Sequence, residues 1–101
     1  MTTIPDAHLL LKQDADTEEP HLYAVILLND DYTTMEFVVR ILVTVFGQTL
    51  EKAEELMLRV HRLGKAVCGR YTYDIAVSKI ECVRSLSRQE QYPLRCDLER
   101  E

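Results

Sequence analysis

Two places in the chain bring together side chains that could bind a small polar group. Asn29-Asp30-Asp31 lies between an apolar run and a helix-start signal, and His61 lies four residues after Met57. The amide and carboxylates offer oxygen acceptors, and a neutral imidazole offers a nitrogen acceptor. Both places also have an ordinary use. Asn and Asp favour turns, acids favour helix N-termini, and a histidine often sits at the edge of a core. Spacing alone leaves both uses open.

Other chemistry is sparse. Cys68, Cys82 and Cys96 are scattered, with no C-x-x-C pair, so they read as reduced thiols packed mostly in the core. That usage fits a cytoplasmic protein. The three histidines lack metal-ligand spacing, and the three glycines are isolated, so neither a metal site nor a phosphate loop is expected. No nucleophile, base and orienting group come together in the pattern. The expectation is therefore a binding protein with no cofactor, and no enzyme.

The elements that must position these residues follow from pattern. His21 to Leu28 is short, aliphatic and β-branched and stops at Asn29, which predicts a buried strand and a turn. Thr33 and Glu36 fit a capping box opening a helix over about 34–46, apolar almost all round and ended by Gly47. Thr49 caps a second helix over about 50–63, with Leu50, Ala53, Met57 and Val60 on one stripe and Gly64 at its end. Ala66 to Tyr71 predicts a second strand, with Gly69 at a bulge or a close approach. A third helix runs from Thr72 or Tyr73 to about Ser87, with Ile75, Ala76, Ile80, Val83 and Leu86 as its apolar face. Pro93 precedes a last strand from Leu94 to Leu98. The predicted fold is an α+β sandwich in β-α-α-β-α-β order, three helices covering one face of a three-stranded sheet.

Composition bounds the partners. The chain has 101 residues, 47% hydrophobic and 29% charged, with a net charge of −5, which suits one globular domain and not a general nucleic-acid or anionic-membrane binder. No apolar run approaches bilayer length, and no secretory signal is visible. Residues 1–19 carry a net −4 and residues 20–101 a net −1. The first stretch lacks apolar periodicity beyond Leu9-Leu10-Leu11, so it reads as a flexible acidic extension to a domain over 20–101.

Taken together, several stretches make the chain resemble the ClpS family. They are Tyr23-Ala24-Val25-Ile26-Leu27-Leu28-Asn29-Asp30-Asp31-Tyr32-Thr33, Met35-Glu36-Phe37-Val38-Val39, Leu56-Met57-Leu58-Arg59-Val60-His61, Gly64-Lys65-Ala66-Val67-Cys68-Gly69 and Tyr92-Pro93-Leu94-Arg95-Cys96-Asp97-Leu98-Glu99. The likeness implies a protease adaptor that holds N-degron proteins beginning with Leu, Phe, Tyr or Trp. It would hand them to the AAA+ ATPase ClpA for degradation by ClpAP. It implies that Asn29, Asp30 and His61 contact the α-amino group or first peptide unit, with Asp31 and Thr33 beside them. Met35, Val38, Met57, Val60 and Leu94 would wall the side-chain pocket, Met35 excluding β-branched residues. Asp74 and Lys79 would meet the N-terminal domain of ClpA, and the ATPase would engage the extension. A monomer is expected, without nucleic acid or membrane; a ClpS-like peptide-interaction module with a different partner is the alternative. Thr34 stands where the family usually has proline and is expected to loosen the turn slightly. Arg40 and Arg70-Tyr71-Thr72-Tyr73 also depart, which fits a divergent second copy.

Overall fold

The computed structural model describes residues 20–101, so the extension expected over 1–19 lies outside the described residues. The elements are β1 (Tyr23–Leu28), α1 (Met35–Thr44), α2 (Leu50–Leu63), β2 (Lys65–Tyr71), α3 (Tyr73–Gln89) and β3 (Arg95–Arg100). Their order and type are those predicted. The strands form one antiparallel sheet in the order β2-β1-β3.

The central place of β1 explains its unbroken aliphatic sequence. Val25 and Leu27 enter the main core. Ala24 and Ile26 point to the opposite face and are also buried. There Ala24 lies between Arg70 and Glu99, and Ile26 between Val67 and Asp97. Val25 pairs with Gly69 and Ile26 with Val67, so Cys68 is the extra residue of a bulge. A Cβ on Gly69 would collide with the Tyr71 hydroxyl, so the glycine also permits a close approach.

α1 buries Phe37, Val38, Ile41 and Leu42, and the turn after it buries Val45 and Phe46. It is less enclosed than the sequence suggests. Glu36, Arg40 and Thr44, spaced four apart, make a wet stripe, and Val43 beside them is exposed. Its N-cap is Thr34 rather than Thr33: the Thr34 hydroxyl accepts from Phe37 N at 3.1 Å. Thr33 is already engaged by Asp30. Gly47, at φ 67°, carries the chain out of the helix.

α2 starts at the expected cap, Thr49 Oγ1 accepting from Lys52 N at 3.1 Å. Its buried stripe is Ala53, Leu56 and Val60 with Met57 half-buried, whereas Leu50 is 61% exposed. Leu50 sits in the first turn, before the helix meets α1 and β2. α3 buries Ala76, Val83 and Ser87, with Ile80 and Leu86 packed at the margin. Ile75 is exposed, because it lies about 100° around the helix from the buried Ala76 beside it. β3 begins one residue later than predicted, and Leu94 is buried just before it.

Candidate functional site

The loop after β1 is held to the end of α2 by one glycine. Gly64 N donates to Val60 O at 2.9 Å, closing α2, and Asn29 N donates to Gly64 O at 2.9 Å. Gly64 has φ 91°, a left-handed conformation that suits glycine. Val60, Gly64 and Asn29 thus form a short chain of backbone bonds. His61 follows Val60 on the same last turn and is exposed, as is Asn29.

Asp30 organises the loop. Its Oδ1 accepts from Tyr32 N at 2.8 Å and from Thr33 N at 2.7 Å, and its Oδ2 accepts from the Thr33 hydroxyl at 2.8 Å. A carboxylate has about four acceptor positions, so Oδ1 is filled and Oδ2 keeps one. Burial raises the Asp30 pKa, but the bonds from Thr33 and Tyr32 outweigh it and leave it below its ordinary value of 3.8. Its ionisation therefore has a local cause in addition to the nearby helix start. Asp31 is exposed and Thr33 half-buried.

The apolar candidates lie in or against the core. Val38, Val60 and Leu94 belong to the core cluster, and Met57 packs against it. Met35 is 44% exposed in the first turn of α1. Leu94 reaches the group because Tyr92, two residues earlier, lays its ring on Phe37 with centroids 4.8 Å apart. The structure therefore brings Asn29, Asp30, Thr33 and His61 to one loop junction, while Val38, Val60 and Leu94 lie in the core cluster with Met57 packed against it.

Asp74 and Lys79 lie elsewhere, on α3. Asp74 is exposed in the first turn. Lys79 Nζ donates to Val45 O at 2.8 Å and lies 5.6 Å from the centre of the Tyr71 ring. Its ammonium thus closes the C-terminal end of α1. Two residues escaped the sequence reading. Tyr92 accepts from the Thr34 hydroxyl at 3.5 Å, and Gln91 ahead of it has φ 61°. An aromatic beside Pro93 was a visible signal, but nothing in spacing assigned it to α1.

The thiols differ from one another. Burial pushes Cys68 up to about 12 and is also the main cause raising Cys96 to about 12. Cys68 and Cys96 lie in or against the core, as expected of most of the cysteines, and Cys82 is exposed on the outer face of α3. Among the described residues, no three His, Cys, Asp or Glu are placed to hold a metal ion. No described helix is long and apolar enough to cross a membrane.

Comparison with known proteins places this arrangement. The family described as ATP-dependent Clp protease adaptor protein ClpS matches residues 18–97. The ATP-dependent Clp protease adapter protein ClpS of Acetivibrio thermocellus is 53% identical over 88 residues, covering 87% of this chain and 89% of that one. Its counterpart from Desulforapulum autotrophicum is 52% identical over 82 residues, 81% and 79% of the two chains. The solved structure of Agrobacterium tumefaciens ClpS2 bound to L-phenylalaninamide matches with a TM-score of 0.79 and 38% identity, over 82% of this chain and 100% of that one. By sequence over most of its length and by the fold that positions the loop junction, this chain belongs to the ClpS family, non-catalytic adaptors of the ATP-dependent Clp protease.

Proposed function

We propose that this chain recognises N-degron substrates by a free α-amino group and a bulky apolar first side chain, and delivers them to a ClpA-type AAA+ ATPase. The observation that carries the reading is the ligand on the related ClpS2: L-phenylalaninamide joins a free amine to a benzyl side chain.

The loop junction suits such a ligand. An α-amino group is largely an ammonium near neutral pH, with three donors to satisfy. The Asn29 side-chain carbonyl, the remaining position on Asp30 Oδ2 and the His61 ring are three acceptors of the right kind. Asp31 and Thr33 border them. An acetylated amine would desolvate these acceptors without satisfying them, a cost of about 1–3 kcal/mol each. Val38, Met57, Val60 and Leu94 then receive the first side chain, with Met35 at the mouth. Methionine suits both aliphatic and aromatic guests because it is unbranched and adaptable. Burying a Leu or Phe side chain supplies about 1.5–3 kcal/mol, and each charged hydrogen bond about 1.5–3. Less the cost of association, the sum supports affinity around micromolar, about −8 kcal/mol. Such binding allows release.

Delivery uses a second surface. The exposed Asp74 on the first turn of α3 is the direct contact for the N-terminal domain of the ATPase. Lys79 supports that surface through its bond to Val45 O. Residues 1–19 serve as an extension that the ATPase engages, separate from an adaptor domain over 20–101. The chain acts as a cytoplasmic monomer.

The test is fluorescence anisotropy with peptides that differ only at the N-terminus. Phe and Leu peptides are expected to bind, and Val and acetyl-Phe peptides to be refused. His61→Ala and Asn29→Ala should each weaken Phe-peptide binding at least about tenfold, about 1.4 kcal/mol. Failure of the Phe and Leu peptides to bind overturns the reading; unchanged affinity in both variants overturns the assigned site.

A further inference from the structure

We infer that Tyr92 is a positioning residue for first-residue selection: it fixes the first turn of α1, and Met35 with it. The inference rests on the reading that Met35 stands at the mouth of the side-chain pocket.

Met35 is flanked by two held groups. On one side Thr34 gives its hydroxyl proton to Tyr92 Oη at 3.5 Å while the same oxygen accepts from Phe37 N at 3.1 Å. On the other, the Phe37 ring lies between two partners: the Tyr92 ring at 4.8 Å and the Arg40 guanidinium at 5.0 Å from its centre. Arg40 pairs in turn with Glu90. Glu90 and Tyr92 therefore grip α1 from either side of Gln91.

The turn that presents them is under local constraint. Tyr92 N donates to Ser87 O at 2.8 Å and Gln91 N to Arg88 O at 3.1 Å, the bond pattern that closes a helix through a left-handed residue. That residue is Gln91, at φ 61°, where glycine is the usual occupant. A non-glycine residue stays there when its surroundings hold it. Here the holding groups are the two neighbours that clasp α1. Thr34, Glu36, Phe37, Arg40, Glu90 and Tyr92 also line a cleft of about 250 Å³. Beside this cleft, the first turn of α1 is held from the C-terminal segment by the Tyr92 contacts and the Arg40–Glu90 pair. Methionine has three rotatable bonds, so its power to exclude a branched guest depends on where its backbone is held.

The experiment measures affinities of the full chain for Leu-, Val- and acetyl-Leu-initiated peptides. Tyr92→Ala is expected to raise the Val-to-Leu affinity ratio about fivefold, in the range of coupling between touching side chains. Acetyl-Leu peptide should stay refused. Tyr92→Phe keeps the ring on Phe37 and is expected to restore the wild-type ratio. Arg40→Ala, at an exposed site that leaves the core intact, should move the ratio the same way by about twofold, and guards against a Tyr92→Ala chain that fails to fold. Met35→Ala supplies the upper limit. A ratio unchanged in both Tyr92→Ala and Arg40→Ala, while Met35→Ala shifts it, overturns the inference alone. A wild-type chain with no preference for Leu over Val overturns the functional reading and the inference with it.

Discussion

The Asp30 carboxylate accepts three hydrogen bonds from its own loop and keeps one acceptor position unused by it. Removing it to alanine strips the loop as well as the acceptor, so His61→Ala is the cleaner probe of ligand contact. Asp30→Asn separates the two. A carboxylate with a lowered folded-state pKa contributes stability above its unfolded value, and that contribution is lost as pH falls through the folded value. The unfolded reference is close to 3.8. The stability lost in Asp30→Asn should therefore be greatest near neutral pH and shrink as pH falls below that value, read by urea unfolding at several pH values. A loss that stays constant with pH would remove the carboxylate's charge from the account. Gln91 offers a second test at this scale. Gln91→Gly relieves a left-handed conformation that costs about 1–2 kcal/mol and adds about 0.5–1 of chain entropy. The expected net gain is about 0.5–1 kcal/mol, visible as a higher Tm.

Among the elements, α1 shows best what a sequence reveals and what it hides. The order of all six elements was legible because each carries its own period and punctuation: the aliphatic run to Asn29, Gly47, Thr49, Gly64 and Pro93. The cap was misplaced by one residue because two threonines adjoin, and only the fold shows Asp30 taking the first of them. The wet stripe of α1 was hidden by the valines around it. Leu50 reads as buried because helical spacing says which side a residue is on, not whether a neighbour reaches that turn, and Ile75 because an apolar type at the edge of a stripe is easily counted into it. The site divides in the same way. Asn29 and Asp30 were legible as turn residues, but their proposed task came through family resemblance, and Tyr92 is remote from α1 in sequence. Thr34 gives the direct test. Thr34→Ala removes the acceptor for Phe37 N and should cost about 1 kcal/mol, measured by chemical denaturation. No change would mean that another group caps the helix.

For the whole molecule, charge is unevenly divided. The net −4 over residues 1–19 stands against a net −1 over residues 20–101. If the first stretch serves delivery, a chain beginning at residue 20 should bind the Phe peptide within about twofold of the full chain. Degradation of a Phe-initiated reporter by the ATPase and protease should slow sharply with that shortened chain. Weaker peptide binding, or undiminished degradation, would reject that role. The exposed ion pairs of Glu55 with Lys52 and Arg59, and of Glu81 with Arg84, add little to stability at this scale.

The position of β1 has a mechanical consequence. The chain passes from residue 20 almost directly into this strand, whose residues pair on both sides: Tyr23 with Tyr71 and Arg100, Leu28 with Lys65 and Arg95. Glu101 N adds a bond to Leu22 O at 3.0 Å, at the very entrance. Antiparallel hydrogen bonds lie across the strand axis. Tension applied from the N-terminal side therefore runs along β1 and loads both ladders in shear together, with no free edge from which to peel. The strand that ends at Asn29 is also the one that a pull from the N-terminal side meets first. An adaptor built this way can stand at the mouth of a motor that pulls proteins apart without itself offering an easy thread.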